Sequence, residues 1–179
     1  PFGLASDARF GRLHQPNAPE DSWLVFFAEH RILAFARAAR DEGELDACGA
    51  GLVERVAARL ADLAAEPASP ALLHGDLWAG NVLTGGGALT AFLDPAPYHG
   101  PAEVDPAFAT MFGGFPRRFF HAYPEPAVDA EPPILDGGFR SARKDMWNLF
   151  PPLAHVGGAA GGRVAARAAT ACGPARRAP

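Results

Sequence analysis

Three polar residues stand out in the stretch LLHGDLWAGNVLTGGGALTAFLDP, residues 72–95: Asp76, Asn81 and Asp94. An aspartate aimed at a hydroxyl can accept its proton or orient it for attack on a phosphoryl group. An amide oxygen and a second carboxylate are hard donors suited to Mg²⁺, which prefers oxygen ligands and bridges nucleotide phosphates. Taken alone, His74-Gly75-Asp76 reads more readily as a turn, since Asp, Gly and Asn all favour turns. Order and spacing shift the balance: an apolar pair, His-Gly-Asp, four residues, Asn, another apolar pair, a hairpin, then Asp. In that arrangement His74 supports the loop by packing and backbone hydrogen bonding, and Gly75 permits a geometry denied to larger residues.

The elements around these residues must place them. Val82–Thr84 and Ala88–Leu93 read as two short strands joined by a three-residue turn, Gly85-Gly86-Gly87. Such a hairpin would bring Asn81 and Asp94 together although they are far apart in sequence. Upstream, residues 1–22 look loop-like, with Pro16, Asn17, Pro19 and Asp21 as breakers. Ser22 is a candidate cap for a helix from Trp23 to about Arg40, with Trp23, Phe26, Phe27, Leu33 and Phe35 on its apolar face. A second helix is expected from about Gly51 to Glu66, burying Val53, Val56, Leu60 and Leu63.

Downstream, short helices are expected near 105–112 and 116–123, the latter opened by Pro116. Asp105-Pro106 allows two readings: a helix N-cap with Pro at the first position, or a brace beneath the loop. A Pro-rich connection spans 124–138, and a helix from Phe139 carries Trp147, Leu149 and Phe150 before Pro151-Pro152 interrupt it. The expected fold class is α+β, with helices predominating. Residues 157–179, rich in Gly and Ala, read as a low-complexity tail expected to be partly disordered.

Composition narrows the function classes. The chain has 179 residues, 49% hydrophobic and 20% charged, with a net charge of −4. That balance and the lack of a polybasic run argue against nucleic acid as a partner. No run of about 18 apolar residues suggests a membrane span, and the start does not read as a signal peptide. Cys48 and Cys172 are far apart without metal-like spacing, so two reduced thiols and a cytoplasmic location are expected. There is no G-x-S-x-G elbow, no G-x-x-x-x-G-K-[ST] loop and no close histidine spacing for zinc.

LLHGDLWAGNV, FLDPAPYHG, EVDPAFATMFGGFP and FFHAYPE together resemble the fructosamine kinase (ketosamine-3-kinase) family, of the protein-kinase-like fold. HGD-x-x-x-x-N is shared with aminoglycoside phosphotransferases and choline kinases; HGDLW with GN, DPA and FGGFP is narrower. Gln15-Pro16-Asn17, WLVFFAEHRI and ELDA add to the likeness, which covers about residues 10–155. The resemblance implies ATP-dependent phosphorylation of the sugar 3-hydroxyl of free or protein-bound ketoamines, a deglycation step. By it Asp76 is the catalytic base, Asn81 and Asp94 hold Mg²⁺, and Trp78 helps shape the sugar pocket or is a core aromatic.

Two departures accompany it. Family members often carry Arg just before the Glu matching Glu103, whereas this chain has Ala102, so a loop-bracing ion pair is expected to be absent. The only lysine, Lys144, follows the catalytic loop instead of preceding it. Residues 1–156 are therefore expected to form a C-lobe without its N-lobe, with the catalytic loop at 72–83 and the metal-binding hairpin at 82–95. The same residues would serve another small-molecule kinase of the superfamily, and a non-catalytic kinase-like binding module is the further alternative.

Overall fold

The computed structural model describes residues 1–123, 135 and 137–154. The 157–179 tail, Cys172 and most of the Pro-rich connection lie outside the described residues. Among the described residues the fold is a small α+β arrangement in which three two-stranded antiparallel sheets are set among short helices.

The first sheet corrects the loop expected for residues 1–22. Strands β1 (Ala8–Phe10) and β2 (Leu13–Gln15) pair antiparallel, with Phe10 opposite Leu13. Gly11, at φ +58, makes the tight turn between them. Strands of three residues carry too little alternation to show as a period.

Helix α1 (Trp23–Phe26) runs through a π-helical segment (Phe27–Leu33) into α2 (Ala34–Asp41), matching the expected Trp23–Arg40 helix to one residue. Ser22 caps it by accepting the Val25 N–H at 3.2 Å, and the Glu66 carboxylate accepts the Trp23 N–H at 2.9 Å. The next helix differs from expectation at both ends. Helix α3 (Ala47–Ala57) starts earlier because Asp46 caps it, accepting the Gly49 N–H at 2.7 Å. The chain breaks before α4 (Leu60–Leu63), and that break leaves Leu63 exposed while Leu60 is buried. Cys48 lies within α3, and the expectation for its counterpart Cys172 falls outside the described residues.

Strands β3 (Ala71–Leu73) and β6 (Tyr98–Gly100) pair antiparallel, and Gly3 bridges to His99 on the far side of β6. Between them lie a 3₁₀ turn (Ala79–Asn81) and the hairpin of β4 (Val82–Gly85) and β5 (Ala88–Phe92). Gly85 pairs with Ala88, so the expected three-residue turn is the two-residue Gly86-Gly87, both at positive φ. That geometry matches the twist of the flanking strands.

Helices α5 (Val104–Ala109) and α6 (Arg117–Ala122) follow, with Pro116 as the residue before α6. A π-helical segment (Phe139–Arg143) continues into α7 (Lys144–Trp147), and α8 (Phe150–Ala154) ends the described chain. The break falls at Asn148-Leu149, and Pro151-Pro152 sit in the first turn of α8, where missing N–H groups cost nothing.

An aromatic core joins these pieces. Trp23 packs on Phe26 and Trp147 with ring centroids 5.6 Å away in each case, and stacks near-parallel on Tyr98 at 6.4 Å. Phe10 sets its ring edge-on to Phe35, Phe108 and Phe150 at 5.8–5.9 Å. Each such pair contributes about 0.5–1.5 kcal/mol beyond area burial. Among the described residues no helix is long and apolar enough to cross a membrane.

Candidate active site

Strand β3 ends at Leu73, and the chain then turns sharply through His74-Gly75-Asp76. Gly75 is required twice over: its φ is +79, and a Cβ there would sit 2.0 Å from the Ala96 carbonyl oxygen. From below, Asp105 closes the loop. Its Oδ2 accepts the His74 N–H at 2.7 Å and its Oδ1 the Gly75 N–H at 2.9 Å. Asp105 lies within the first turn of α5 and is not its N-cap, which decides between the two sequence readings of Asp105-Pro106. Burial pushes its carboxyl above the usual range, outweighing the two N–H donors that favour the charged form.

His74 ties the loop to the hairpin. Its Nδ1 accepts the Asp76 N–H at 3.3 Å and its Nε2 faces the Leu93 carbonyl at 3.0 Å, which assigns the proton to Nε2. Its ring meets Phe92 edge-on at 6.0 Å. The Ala96 N–H returns to the His74 carbonyl at 2.9 Å.

Asp76 and Asn81 meet directly. Asn81 Nδ2 donates to the Asp76 carbonyl at 3.0 Å and to Asp76 Oδ2 at 3.1 Å. With the amide nitrogen committed, Asn81 Oδ1 is left without a hydrogen-bond donor among the described residues. The Leu93 N–H donates to the Asn81 carbonyl at 2.9 Å, which brings Asp94 next to Asn81 across the base of the hairpin. Asp94 is exposed, its carboxylate has no hydrogen-bond or ion-pair partner among the described residues, and its φ is +49. A non-glycine residue held there is strained by roughly 1–3 kcal/mol, a cost common at functional sites. An amide oxygen and a carboxylate, both open, fit a hard cation that takes the rest of its shell from water and phosphate oxygens.

Trp78 is 39% exposed, which rules out the core-aromatic reading. Its indole lies against Gly80, where a Cβ would come within 2.2 Å of the ring, and meets Phe112 at 5.8 Å. Gly80 therefore serves the tryptophan and not a backbone turn, something its place in the motif did not reveal. Gly114 similarly lets its turn approach Ala79, where a Cβ would come within 2.4 Å of the alanine methyl.

Glu103, the residue after Ala102, makes an ion pair of its own that the sequence reading did not anticipate. Arg143 donates to both carboxylate oxygens of Glu103 at 2.8–3.0 Å, and Trp147 Nε1 donates to Oε1 at 2.6 Å. The basic partner comes from a later helix, so no local spacing could have signalled it. This strut fixes the start of α5, the helix that carries Asp105.

A sequence model of the fructosamine kinase family matches residues 1–170. The chain belongs to that family. It is 42% identical over 159 residues to a protein of Synechocystis named a probable ketoamine kinase, covering 86% of this chain and 49% of the relative. A protein of Vibrio cholerae with the same name is 39% identical over 154 residues, covering 86% and 50%. Among solved structures, a protein of Thermobifida fusca provisionally named a fructosamine-3-kinase superposes with a TM-score of 0.76 at 36% identity, covering 93% of this chain and 57% of that one. A Haemophilus somnus protein with the same provisional name gives a TM-score of 0.71 at 29% identity. The chain thus spans about half the length of the curated relatives it matches.

Proposed function

We propose that this chain supplies the catalytic loop and metal-binding hairpin of an ATP-dependent kinase acting on the sugar 3-hydroxyl of ketoamines, as the C-lobe part of the enzyme. Asp76 accepts the proton of the acceptor hydroxyl as its oxygen attacks the γ-phosphorus; the bond to the β–γ bridging oxygen breaks and ADP leaves. Asn81 Oδ1 and the Asp94 carboxylate would hold Mg²⁺, which neutralises the charge of the transferring phosphoryl group. Asp105, His74 and Gly75 keep Asp76 in place, and the exposed Trp78 offers a flat apolar face to the sugar. ATP is drawn from the cytoplasm, and the product is a ketoamine 3-phosphate. The same reaction serves a free or a protein-bound adduct.

The observation that supports this most is the 3.1 Å contact between Asn81 and Asp76, made by the amide nitrogen. It aligns the base and leaves an oxygen for the cation. Phosphorus NMR of the protein that carries this chain, given ATP, Mg²⁺ and a fructosamine, tests the reading. A new phosphomonoester signal is expected, reduced about 10²–10⁴-fold in Asp76→Asn, the usual contribution of a general base. Turnover of an aminoglycoside in place of the ketoamine would overturn the substrate assignment. An Asp76→Asn variant as fast as the parent would overturn the mechanism.

A further inference from the structure

The segment after Asp94 is gripped by a buried polar cluster that the chemistry above does not use. Gln15, Asn17 and Arg31 are each 0% exposed. Gln15 Nε2 donates to the Ala96 carbonyl at 3.0 Å, and Asn17 Nδ2 to the Pro97 carbonyl at 3.1 Å. Arg31 donates to Asn17 Oδ1 at 2.8 Å, and that bond fixes which way the Asn17 amide faces. The guanidinium also donates to the Pro16 carbonyl at 2.8 Å and lies over the Tyr98 ring at 3.8 Å and the Phe26 ring at 4.7 Å.

This is an expensive way to fill a core. Burying a guanidinium lowers its pKa, and among the described residues no carboxylate pairs with Arg31. A buried charge of this kind adds little stability over an apolar replacement, so its use lies in fixing geometry. What it fixes is specific. Prolines 95 and 97 lack N–H groups, so in Asp94-Pro95-Ala96-Pro97 the carbonyls are the main handles for holding the chain after Asp94. Ala96 is tied on both sides, by its N–H to the His74 carbonyl and by its carbonyl to Gln15. The positive φ of Asp94 survives only where its surroundings over-determine it.

We infer that Gln15, Asn17 and Arg31 are positioning residues that hold the Asp94 backbone in its left-handed turn and so aim its carboxylate, making the site selective for a small cation over a large one. The inference rests on the proposed metal role of Asp94. Mg²⁺ demands near-ideal octahedral geometry, whereas Ca²⁺ accepts flexible, irregular shells; Mn²⁺, closer to Mg²⁺ in size, serves as its paramagnetic stand-in. A looser Asp94 would therefore lose the small ion and keep the large one. A purely structural clamp would lower thermal stability without changing that ratio.

The test is a Mn²⁺ titration of the protein that carries this chain, with ATP present and an ATP-only blank, followed by electron paramagnetic resonance, with Ca²⁺ as competitor. The parent, Gln15→Met, the milder Gln15→Asn and Asp94→Ala are compared. Gln15→Met should weaken Mn²⁺ about 3–10-fold, the worth of one hydrogen bond, with Ca²⁺ changed less than about twofold. Gln15→Asn, which keeps a polar amide and folds more readily, should shift the ratio in the same direction by less. Equal weakening of both ions, or no change in either, overturns the positioning inference while leaving the kinase reading intact. A parent that binds no Mn²⁺, or an Asp94→Ala variant that binds as the parent does, overturns the metal role of Asp94 and the inference with it.

Discussion

The two ends of the β4–β5 hairpin are built on opposite plans. At its base, His74, Gly75, Asp76 and Asn81 are stitched by hydrogen bonds to Asp105, Leu93 and Ala96, and Gly75 and Asn81 are buried. Toward its tip every residue from Leu83 to Thr90 is exposed, and a Cβ added at Gly86 or Gly87 would meet nothing. Both regions use positive-φ glycines, yet only at the base does a neighbour forbid a side chain. Rigidity is concentrated where the proposed base and metal ligand sit, and the tip serves to return the chain to Asp94. The exposed Leu83, Leu89, Phe92 and Leu93 on this hairpin contrast with the aromatic core around Trp23, where burial is complete.

Substitutions can break this contrast in order of size. Asp105→Ala should be the most damaging, destabilising the chain by about 3 kcal/mol, because a buried and a part-buried N–H lose their carboxyl acceptor at once. Chemical denaturation would measure it, and a loss near zero would mean the loop holds itself. Gly75→Ala comes next at slightly less, since it combines an unfavourable φ with the clash on the Ala96 carbonyl. Gly86→Ala carries the φ penalty alone and should cost about 1 kcal/mol. If the two glycine variants were equally destabilised, the distinction between base and tip would fail.

Legibility in the sequence follows the same division. Asp76, Asn81, Asp94 and the hairpin were readable because they lie in one stretch with a regular spacing. The Ser22 cap and the first helix were readable from local signals. What escaped comes from long-range pairing: β3 with β6, Arg143 with Glu103, and Gln15 and Asn17 with the carbonyls of Ala96 and Pro97. Arg31 was hidden for another reason. A basic residue within an amphipathic helix reads as a solvent-facing position, and only the meeting of Phe26, Tyr98 and Asn17 makes a place for it inside. The Asp46 cap was missed because α3 begins in Ala and Gly, which show no apolar period.

The smallest effect concerns pH. Asp7 accepts the Asn17 N–H at 2.8 Å and contacts His14 Nε2 at 2.8 Å, and these two bonds, the first foremost, hold its carboxyl below the usual range. A depressed folded-state value contributes stability above the unfolded value of about 3.9, and that stability is lost as pH falls through the folded value. Because Asp7 is exposed, the melting temperature should fall only slightly more in the parent than in Asp7→Asn on acidification below about pH 4. An equal fall in both would remove Asp7 from the support of Asn17.

The proposed mechanism requires Asn81 and Asp94 to converge on one cation beside Asp76. Anomalous diffraction from crystals of the protein soaked with Mn²⁺ and ATP tests it directly. One Mn²⁺ peak is expected about 2.0–2.2 Å from both Asn81 Oδ1 and an Asp94 carboxylate oxygen, with a phosphate oxygen completing the contact. A cation bound by neither residue, or ATP bound with the Asp94 carboxylate turned away, would contradict it.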